Sequence, residues 1–269
     1  MKPLSHLLFI TDLDDTLLRA DKSISRENLA AIARFRELGG RFTVATGRSI
    51  PSYLPYHDRL RPDLPVVLNN GAVLYDPYRD EILWNSVLPD SAKGYVREVM
   101  ERFPAVGIEI LLGKEIFVLR MNRQIRDHME HEHLRHTMAP LSGIPGEWYK
   151  VLYAADPELL AGLTAFLAEQ GHPDVSYITS SSYYCEMLPR GISKGGALRQ
   201  LLETARLRDV RVYAAGDYYN DLELIRAADV GVAVANAPEE VRRAAGMVVA
   251  SHEENGIAEA LERLMEAER

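Results

Sequence analysis

Short apolar runs alternate with apolar residues at helical spacing, and this alternation predicts an α/β fold. The run from Leu7 to Ile10 is typical of a buried strand. Ser25 then precedes apolar residues at positions 29, 32, 35 and 38, and two glycines at 39 and 40 end the predicted helix. Residues 41–45 form the next apolar run. A strand, a helix and a strand in this order predict a βαβ unit with parallel strands.

This alternation of strands and helices continues in the first and last parts of the chain and is interrupted between them. Residues 64–68 predict a third strand, residues 73–76 and 81–84 a hairpin, and residues 210–215 and 230–234 further strands. Between them, short paired strands and separate helices predict an α+β insert. We therefore expect a doubly wound, Rossmann-like parallel-sheet core formed by residues 1–84 and 188–269, with an inserted α+β domain over residues 85–187.

Composition narrows the function classes. The chain has 269 residues, 47% of them apolar, and a net charge of −8 without a basic block, which argues against a nucleic-acid partner. The single cysteine, Cys185, excludes an internal disulfide and a thiolate metal site. The chain shows neither a signal-peptide pattern nor an apolar run of about 18 residues. We expect a cytoplasmic protein with no membrane partner, as a monomer or small homo-oligomer.

Polar residues follow the predicted strands at the sheet edge where open α/β sheets bind ligands. They are Asp12, Asp14, Thr46, Asn70, Asp217, Asn220 and Asp221, with Lys194 joining from the first turn of the helix that Ser193 caps. Several carboxylates in one crevice repel one another unless a hard cation lies among them, and oxygen-only ligation suits Mg²⁺. The alternative, taking the Asp12 loop alone, is an acidic turn.

Such a set can bind a phosphoryl group. The metal and Lys194 neutralise its charge, and Thr46 donates a hydrogen bond. One carboxylate can attack phosphorus, and a second, two residues on, can protonate the departing oxygen and later deprotonate water.

Four motifs now stand in order along the chain: DLDDTL from Asp12, Thr46-Gly47-Arg48, SKGGAL from Ser193, and GDYYND from Gly216. This set resembles the four motifs of the haloacid dehalogenase-like superfamily. NNGA from Asn69, the stretch 216–242 and the late SHEENGIAEAL resemble its Cof-type branch, whose members carry a large C2 cap between the second and third motifs. The resemblance therefore implies a catalytic core and a cap that sets substrate specificity.

The resemblance also implies roles by position. Asp12 is similar to the family's nucleophile and Asp14 to its general acid/base, while Thr46, Lys194 and Asn220 match phosphate-binding positions. Magnesium ligation falls to Asp12, Asp217 and the carbonyl of Asp14, and Asp221 supports the metal directly or through water. Arg48 and Asn70 match positions that are candidates for substrate binding. Asp15 stands where many members have glycine, and no role follows for it.

The implied function is a Mg²⁺-dependent phosphatase that hydrolyses a small phosphorylated metabolite, a sugar phosphate or similar organophosphate, through an aspartyl-phosphate. A phosphomutase acting on a sugar phosphate and a non-catalytic phosphometabolite-binding protein are the alternatives. Four histidines between His128 and His136 favour a solvated helix face over a zinc site, since their spacing lacks the HExxH pattern. Cys185 is interpreted as a small strand residue and not as a nucleophile.

Overall fold

The computed structural model describes residues 3–268, so residues 1, 2 and 269 of the predicted core lie outside the described residues. The chain divides into two compact units. The first comprises the residues up to Gly47, Tyr56–Leu83, and the residues from Ser193 onward. The second comprises Arg48–Pro55 and Trp84–Ile192.

The strands and helices alternate along most of the chain. The strands are β1 (Leu7–Thr11), β2 (Arg41–Val44), β3 (Val66–Leu68), β4 (Val73–Asp76), β5 (Glu81–Asn85), β6 (Gly107–Leu112), β7 (Glu115–Arg120), β8 (Thr137–Met138), β9 (Lys150–Ala154), β10 (Val175–Ser181), β11 (Tyr184–Pro189), β12 (Arg211–Gly216), β13 (Val230–Val234) and β14 (Met247–Val249). The helices are α1 (Arg26–Glu37), α2 (Ile50–Leu60), α3 (Ala92–Arg102), α4 (Arg123–His131), α5 (Pro157–Gln170), α6 (Lys194–Thr204), α7 (Leu222–Ala227), α8 (Glu239–Ala244) and α9 (Gly256–Ala267).

The first unit is built on a five-stranded sheet in the order β14-β13-β12-β1-β2, with every pair parallel. All five residues of β1 are buried, as its uninterrupted apolar run predicts for a central strand. The parallel sheet predicted for the core is confirmed. One strand differs: β3 touches this sheet through a single bridge, Ala45 to Val67, and otherwise pairs antiparallel with β4.

Two serine caps fix the helices that follow the sheet. The Ser25 hydroxyl accepts a hydrogen bond from the Asn28 amide at 3.0 Å, and the Ser193 hydroxyl accepts one from the Gly196 amide at 3.1 Å. Both caps satisfy amide groups that a helix N-terminus otherwise leaves unpaired. The second cap makes Lys194 the first residue of α6, so its position is set by the helix start.

The second unit contains a six-stranded sheet in the order β10-β11-β9-β6-β7-β8. Its pairs are antiparallel except for β7 with β8. Residues of α3 and α5 pack on one side of this sheet, and residues of α4 belong to a separate apolar cluster with β7 and β9. The mixed and mainly antiparallel sheet agrees with the predicted α+β character of the insert. Among residues 3–268, no helix combines the length and apolar character needed to cross a membrane.

Candidate active site

The Asp12 loop begins where the central strand ends. The Asp12 amide donates to the carbonyl of Ala215 at 2.9 Å, which continues the pairing of β1 with β12 by one residue. Asp12 is 5% exposed. The sheet therefore delivers a carboxylate into a buried environment at the carboxyl end of its central strands.

Lys194 supplies a positive charge to this environment. Its Nζ atom lies 2.6 Å from Asp12 Oδ1 and 2.6 Å from Asp221 Oδ1. Lys194 is 1% exposed and Asp221 is fully buried. A buried ammonium is tolerated only when it is paired and hydrogen-bonded, and these two carboxylates meet that requirement.

Asp221 also shapes the loop that carries it. Its Oδ2 atom accepts hydrogen bonds from the amides of Asp217 at 3.0 Å and Tyr218 at 3.1 Å. Gly216 has no side chain to obstruct this arrangement, because a Cβ there would overlap the Asp221 side chain. Asp217 precedes the 3-10 turn 219–221, and α7 begins only at Leu222.

Asp217 is held by a residue to which the sequence assigned no role. The Thr16 hydroxyl donates to Asp217 Oδ1 at 2.8 Å, and Thr16 is fully buried. The signal was present in the sequence, since Thr16 is the threonine of the DLDDTL motif. Its partner, 201 residues away, could not be identified without the fold.

Burial changes the protonation of these groups. It raises the pKa of Asp12 to about 7, although Lys194 opposes the shift. Burial, together with the charges of Asp221 and Asp12, also raises the pKa of Asp217 well above its ordinary value. Burial lowers the pKa of Lys194, but Asp12 and Asp221 outweigh it and the net shift is upward. Three carboxylates against one ammonium leave an excess of two negative charges when all are ionised.

The donor set fits a divalent cation. Asp12, Asp217 and Asp221 each offer a carboxylate oxygen within 4.8 Å of the others, and all three are buried. Hard oxygen ligands without sulfur or nitrogen suit Mg²⁺, and two positive charges would balance the excess. Within residues 3–268 this is the only group of three or more acidic, histidine or cysteine side chains close enough to share an ion.

Asp14 occupies a different environment from Asp12. Its side chain is 35% exposed, and Lys22 Nζ lies 2.9 Å from its Oδ1 atom. An ion pair between partly exposed groups contributes little stability and exchanges readily with water. Asp14 therefore has the access to solvent that a proton shuttle needs, and its carboxylate is not a member of the buried cluster.

The remaining phosphate-binding candidates are linked to one another. The Asn70 amide donates to the carbonyl of Thr46 at 3.0 Å, and Asn220 Nδ2 donates to Asn70 Oδ1 at 3.0 Å. Thr46 is 1% exposed and Asn70 is fully buried. Asn70 therefore joins the loop that follows β2 to the loop that follows β12.

Arg48 belongs to the second unit by its contacts. Its Nη1 atom lies 3.1 Å from Glu132 Oε1 and 3.2 Å from both the carbonyl and the hydroxyl oxygens of Ser52. These contacts do not test the prediction that Arg48 binds substrate.

The histidine-rich stretch forms no metal site among the described residues. His131, His133 and His136 are exposed, whereas His128 lies 3.7 Å from buried Glu109 and packs against Tyr184. Cys185 is buried in β11, and burial together with Glu186 raises its thiol pKa to about 12. Such a thiol is a poor nucleophile.

Asp15 adopts an unusual backbone conformation in the loop after β1. Its φ angle is +55°, in the left-handed region that glycine adopts most readily and that aspartate tolerates. Its carbonyl accepts from Asn236 Nδ2 at 2.8 Å, and its side chain is 55% exposed. The turn therefore determines the backbone conformation at this position.

Comparison with known proteins agrees with this geometry. A model of the haloacid dehalogenase-like hydrolases matches residues 9–261. The 5-amino-6-(5-phospho-D-ribitylamino)uracil phosphatase YitU of Bacillus subtilis is 25% identical over 257 residues, covering 93% of this chain and 94% of that protein. The pyridoxal phosphate phosphatase YbhA of Escherichia coli is 25% identical over 258 residues, covering 92% of this chain and 94% of that protein.

A solved structure extends the similarity to the fold. A haloacid dehalogenase-like hydrolase from Bacteroides thetaiotaomicron superposes with a TM-score of 0.83 at 28% identity, covering 96% of this chain and 99% of that chain. The family match, the phosphatase relatives and the shared fold lead to one conclusion. The chain belongs to the haloacid dehalogenase-like hydrolases, in their Cof-type branch, and is a phosphoric monoester hydrolase.

Proposed function

We propose that this hydrolase is a Mg²⁺-dependent phosphatase that releases phosphate from a small phosphorylated metabolite through an aspartyl-phosphate at Asp12. One observation carries the proposal: Asp12 is buried at the end of the central strand, with its Oδ1 atom 2.6 Å from Lys194 Nζ. Carboxylate oxygens of Asp12, Asp217 and Asp221 lie within 4.8 Å of one another. A buried carboxylate beside a fixed cation is positioned to react with an anionic phosphoryl group.

In the first step, a carboxylate oxygen of Asp12 forms a bond to phosphorus while the bond from phosphorus to the ester oxygen breaks. Asp14 donates a proton to that departing oxygen, so an alcohol leaves. In the second step, Asp14 accepts a proton from water as the water oxygen bonds to phosphorus. The bond between Asp12 and phosphorus breaks, which restores the carboxylate and releases inorganic phosphate.

The surrounding residues hold the phosphoryl group and its charge. Lys194 remains an ammonium because Asp12 and Asp221 raise its pKa, and Thr46 and Asn220 supply hydrogen-bond donors. Asp12, Asp217 and Asp221, with the Asp14 carbonyl, would hold Mg²⁺, which supplies charge neutralisation for the phosphoryl oxygens when bound. Asp221 is already committed to Lys194 and two amides, so its contribution to the metal is best made through water.

The substrate is proposed as a class. YitU and YbhA are named for different phosphorylated compounds, a ribitylaminouracil phosphate and pyridoxal phosphate. We propose a sugar phosphate or similar organophosphate for this chain, with specificity set by an inserted C2 cap over residues 85–187.

The test is a phosphate-release screen over sugar phosphates, pyridoxal phosphate and flavin-pathway phosphates, run with Mg²⁺ and with a chelator. Asp12→Asn should abolish release from every substrate that the wild type hydrolyses. Asp15→Asn is the matched control, because it removes a neighbouring carboxylate that is exposed and lies outside the buried cluster.

Three results would contradict the proposal. Full activity in Asp12→Asn would remove the nucleophile, and chelator-resistant hydrolysis would remove the metal. Isomerisation of a sugar phosphate without phosphate release would identify a phosphomutase.

A further inference from the structure

The turn formed by Asn69, Asn70 and Gly71 has an uncommon backbone. Its three φ angles are +50°, +53° and +104°, so three consecutive residues lie at positive φ. Asparagine adopts this region more readily than other residues apart from glycine, but three consecutive positive φ angles are uncommon. Such strain persists only where the surrounding structure imposes it, and it is concentrated at functional sites.

The turn packs against two segments that carry proposed phosphate-binding residues. Gly71 lies so close to the carbonyl of Ser193, the residue before Lys194, that a Cβ at Gly71 would overlap it. The Asn70 amide donates to the carbonyl of Thr46 at 3.0 Å. Gly47 leaves room for the Asn70 side chain, since a Cβ there would lie 3.1 Å from its amide nitrogen.

Asn70 reaches a third such segment through its side chain. Its Oδ1 atom accepts from Asn220 Nδ2 at 3.0 Å, across 150 residues of sequence. Asn70 itself is fully buried. Asn220 is partly exposed, whereas the Oδ1 atom of buried Asn70 is used by its contact with Asn220.

We infer that Asn70 is a positioning residue that orients the Asn220 amide for phosphate, and that it is not a substrate contact. The inference rests on the proposed function, in which Asn220 binds the phosphoryl group. With one Asn220 N–H donated to Asn70, the side-chain rotation of Asn220 is fixed and its second N–H is held in one direction. Fixing a donor before the ligand arrives removes an ordering cost from binding.

The experiment is a double-mutant cycle read by the binding of inorganic phosphate in the presence of Mg²⁺, measured calorimetrically. Asn70→Gly removes the acceptor and suits the positive φ, and Asn220→Ala removes the donor. Each should weaken phosphate binding about tenfold, the loss typical of one hydrogen bond to a charged group. The double variant should bind phosphate no more weakly than Asn220→Ala alone, because Asn70 acts only through the Asn220 amide.

Asn69→Gly is the matched control. Asn69 is the adjacent buried asparagine at positive φ, and neither atom of its side-chain amide has a hydrogen-bond partner among residues 3–268. Paired with Asn220→Ala, its effect should be additive. A Mg²⁺-induced rise in melting temperature equal to that of the wild type would show that Asn70→Gly leaves the carboxylate cluster intact.

Independent losses in the Asn70 and Asn220 double variant, or wild-type phosphate affinity in Asn70→Gly, would overturn the inference. Either result with the variants is compatible with hydrolysis of phosphate esters by the wild type, and the proposed function would then stand. A wild-type protein that neither hydrolyses esters nor binds phosphate would instead refute the proposed function, and this inference with it.

Discussion

Replacing Lys194 with methionine removes the ammonium from the buried cluster while keeping a side chain of similar length. The Lys194 Nζ atom contacts two carboxylates at 2.6 Å, and both are buried with it. Loss of one partner from a buried ion pair costs about 3–5 kcal/mol. When Asp12, Asp217 and Asp221 are all ionised, they would then carry three uncompensated charges, so the lost pairing and the remaining repulsion act in the same direction.

Protonation of the carboxylates sets the pH dependence of the stability lost in Lys194→Met. The pKa of Asp12 is raised from 3.8 to about 7, so the folded protein holds a proton that the unfolded chain releases between these values. The free energy of unfolding therefore falls as pH rises through that window, by about 1.4 kcal/mol per pH unit for one such group. Without Lys194 the carboxylate pKa values rise further. We expect Lys194→Met to be most destabilising above pH 7 and least below pH 4.

The assay is thermal unfolding followed by circular dichroism, at pH 5 and pH 8, in chelator and in Mg²⁺. In chelator at pH 8 the melting temperature of Lys194→Met should fall by roughly 10 °C, given about 2–4 °C per kcal/mol for a chain near this size. Added Mg²⁺ should raise it by more than it raises the wild type, since the cation replaces the lost charge.

Lys150→Met is the matched control for this experiment. Lys150 is also buried, with Nζ 3.0 Å from Glu186 Oε2 in the second unit. Its loss should lower the melting temperature without increasing the response to Mg²⁺. A Lys194→Met protein as stable as the wild type in chelator at pH 8, or one that Mg²⁺ does not rescue, would refute the electrostatic account of the cluster.

Three further predictions concern other positions. Wild-type protein in chelator should lose stability between about pH 4 and pH 7, because the unfolded chain releases the Asp12 proton there while the folded protein keeps it, and Asp12→Asn should flatten that slope; an unchanged slope would show that another group controls it. Cys185 should resist thiol reagents in the folded protein and react only on denaturation, because it is buried with a pKa of about 12; stoichiometric labelling of native protein would contradict this. Asp15→Gly should leave phosphate release unchanged and keep or raise the melting temperature, since glycine suits φ +55°; a lost activity would assign Asp15 a chemical role.

The fold was largely readable from the sequence because its signals are local. The buried run of β1, the Ser25 and Ser193 caps and the helical spacing of α1 depend on a few neighbouring residues, and each appears where it was predicted. The pairing of β3 was not readable in the same way. An apolar segment of three residues suits either a parallel or an antiparallel neighbour, and the adjacent hairpin strand β4 decided it.

For the site, the sequence by itself determined which residue types are present and that they follow strand ends. It supplied Asp12, Asp217, Asp221 and Lys194 as a set whose charges favour a divalent cation. Only the tertiary structure decided which side chains contact one another. Lys194 bridges Asp12 and Asp221, and Thr16 donates a hydrogen bond to Asp217. Asn70 accepts one from Asn220, and Arg48 pairs with Glu132. The physical reason is distance along the chain. These partners are 27 to 201 residues apart, whereas motifs record only local spacing. In the first unit, parallel strands with long crossovers bring the partners together.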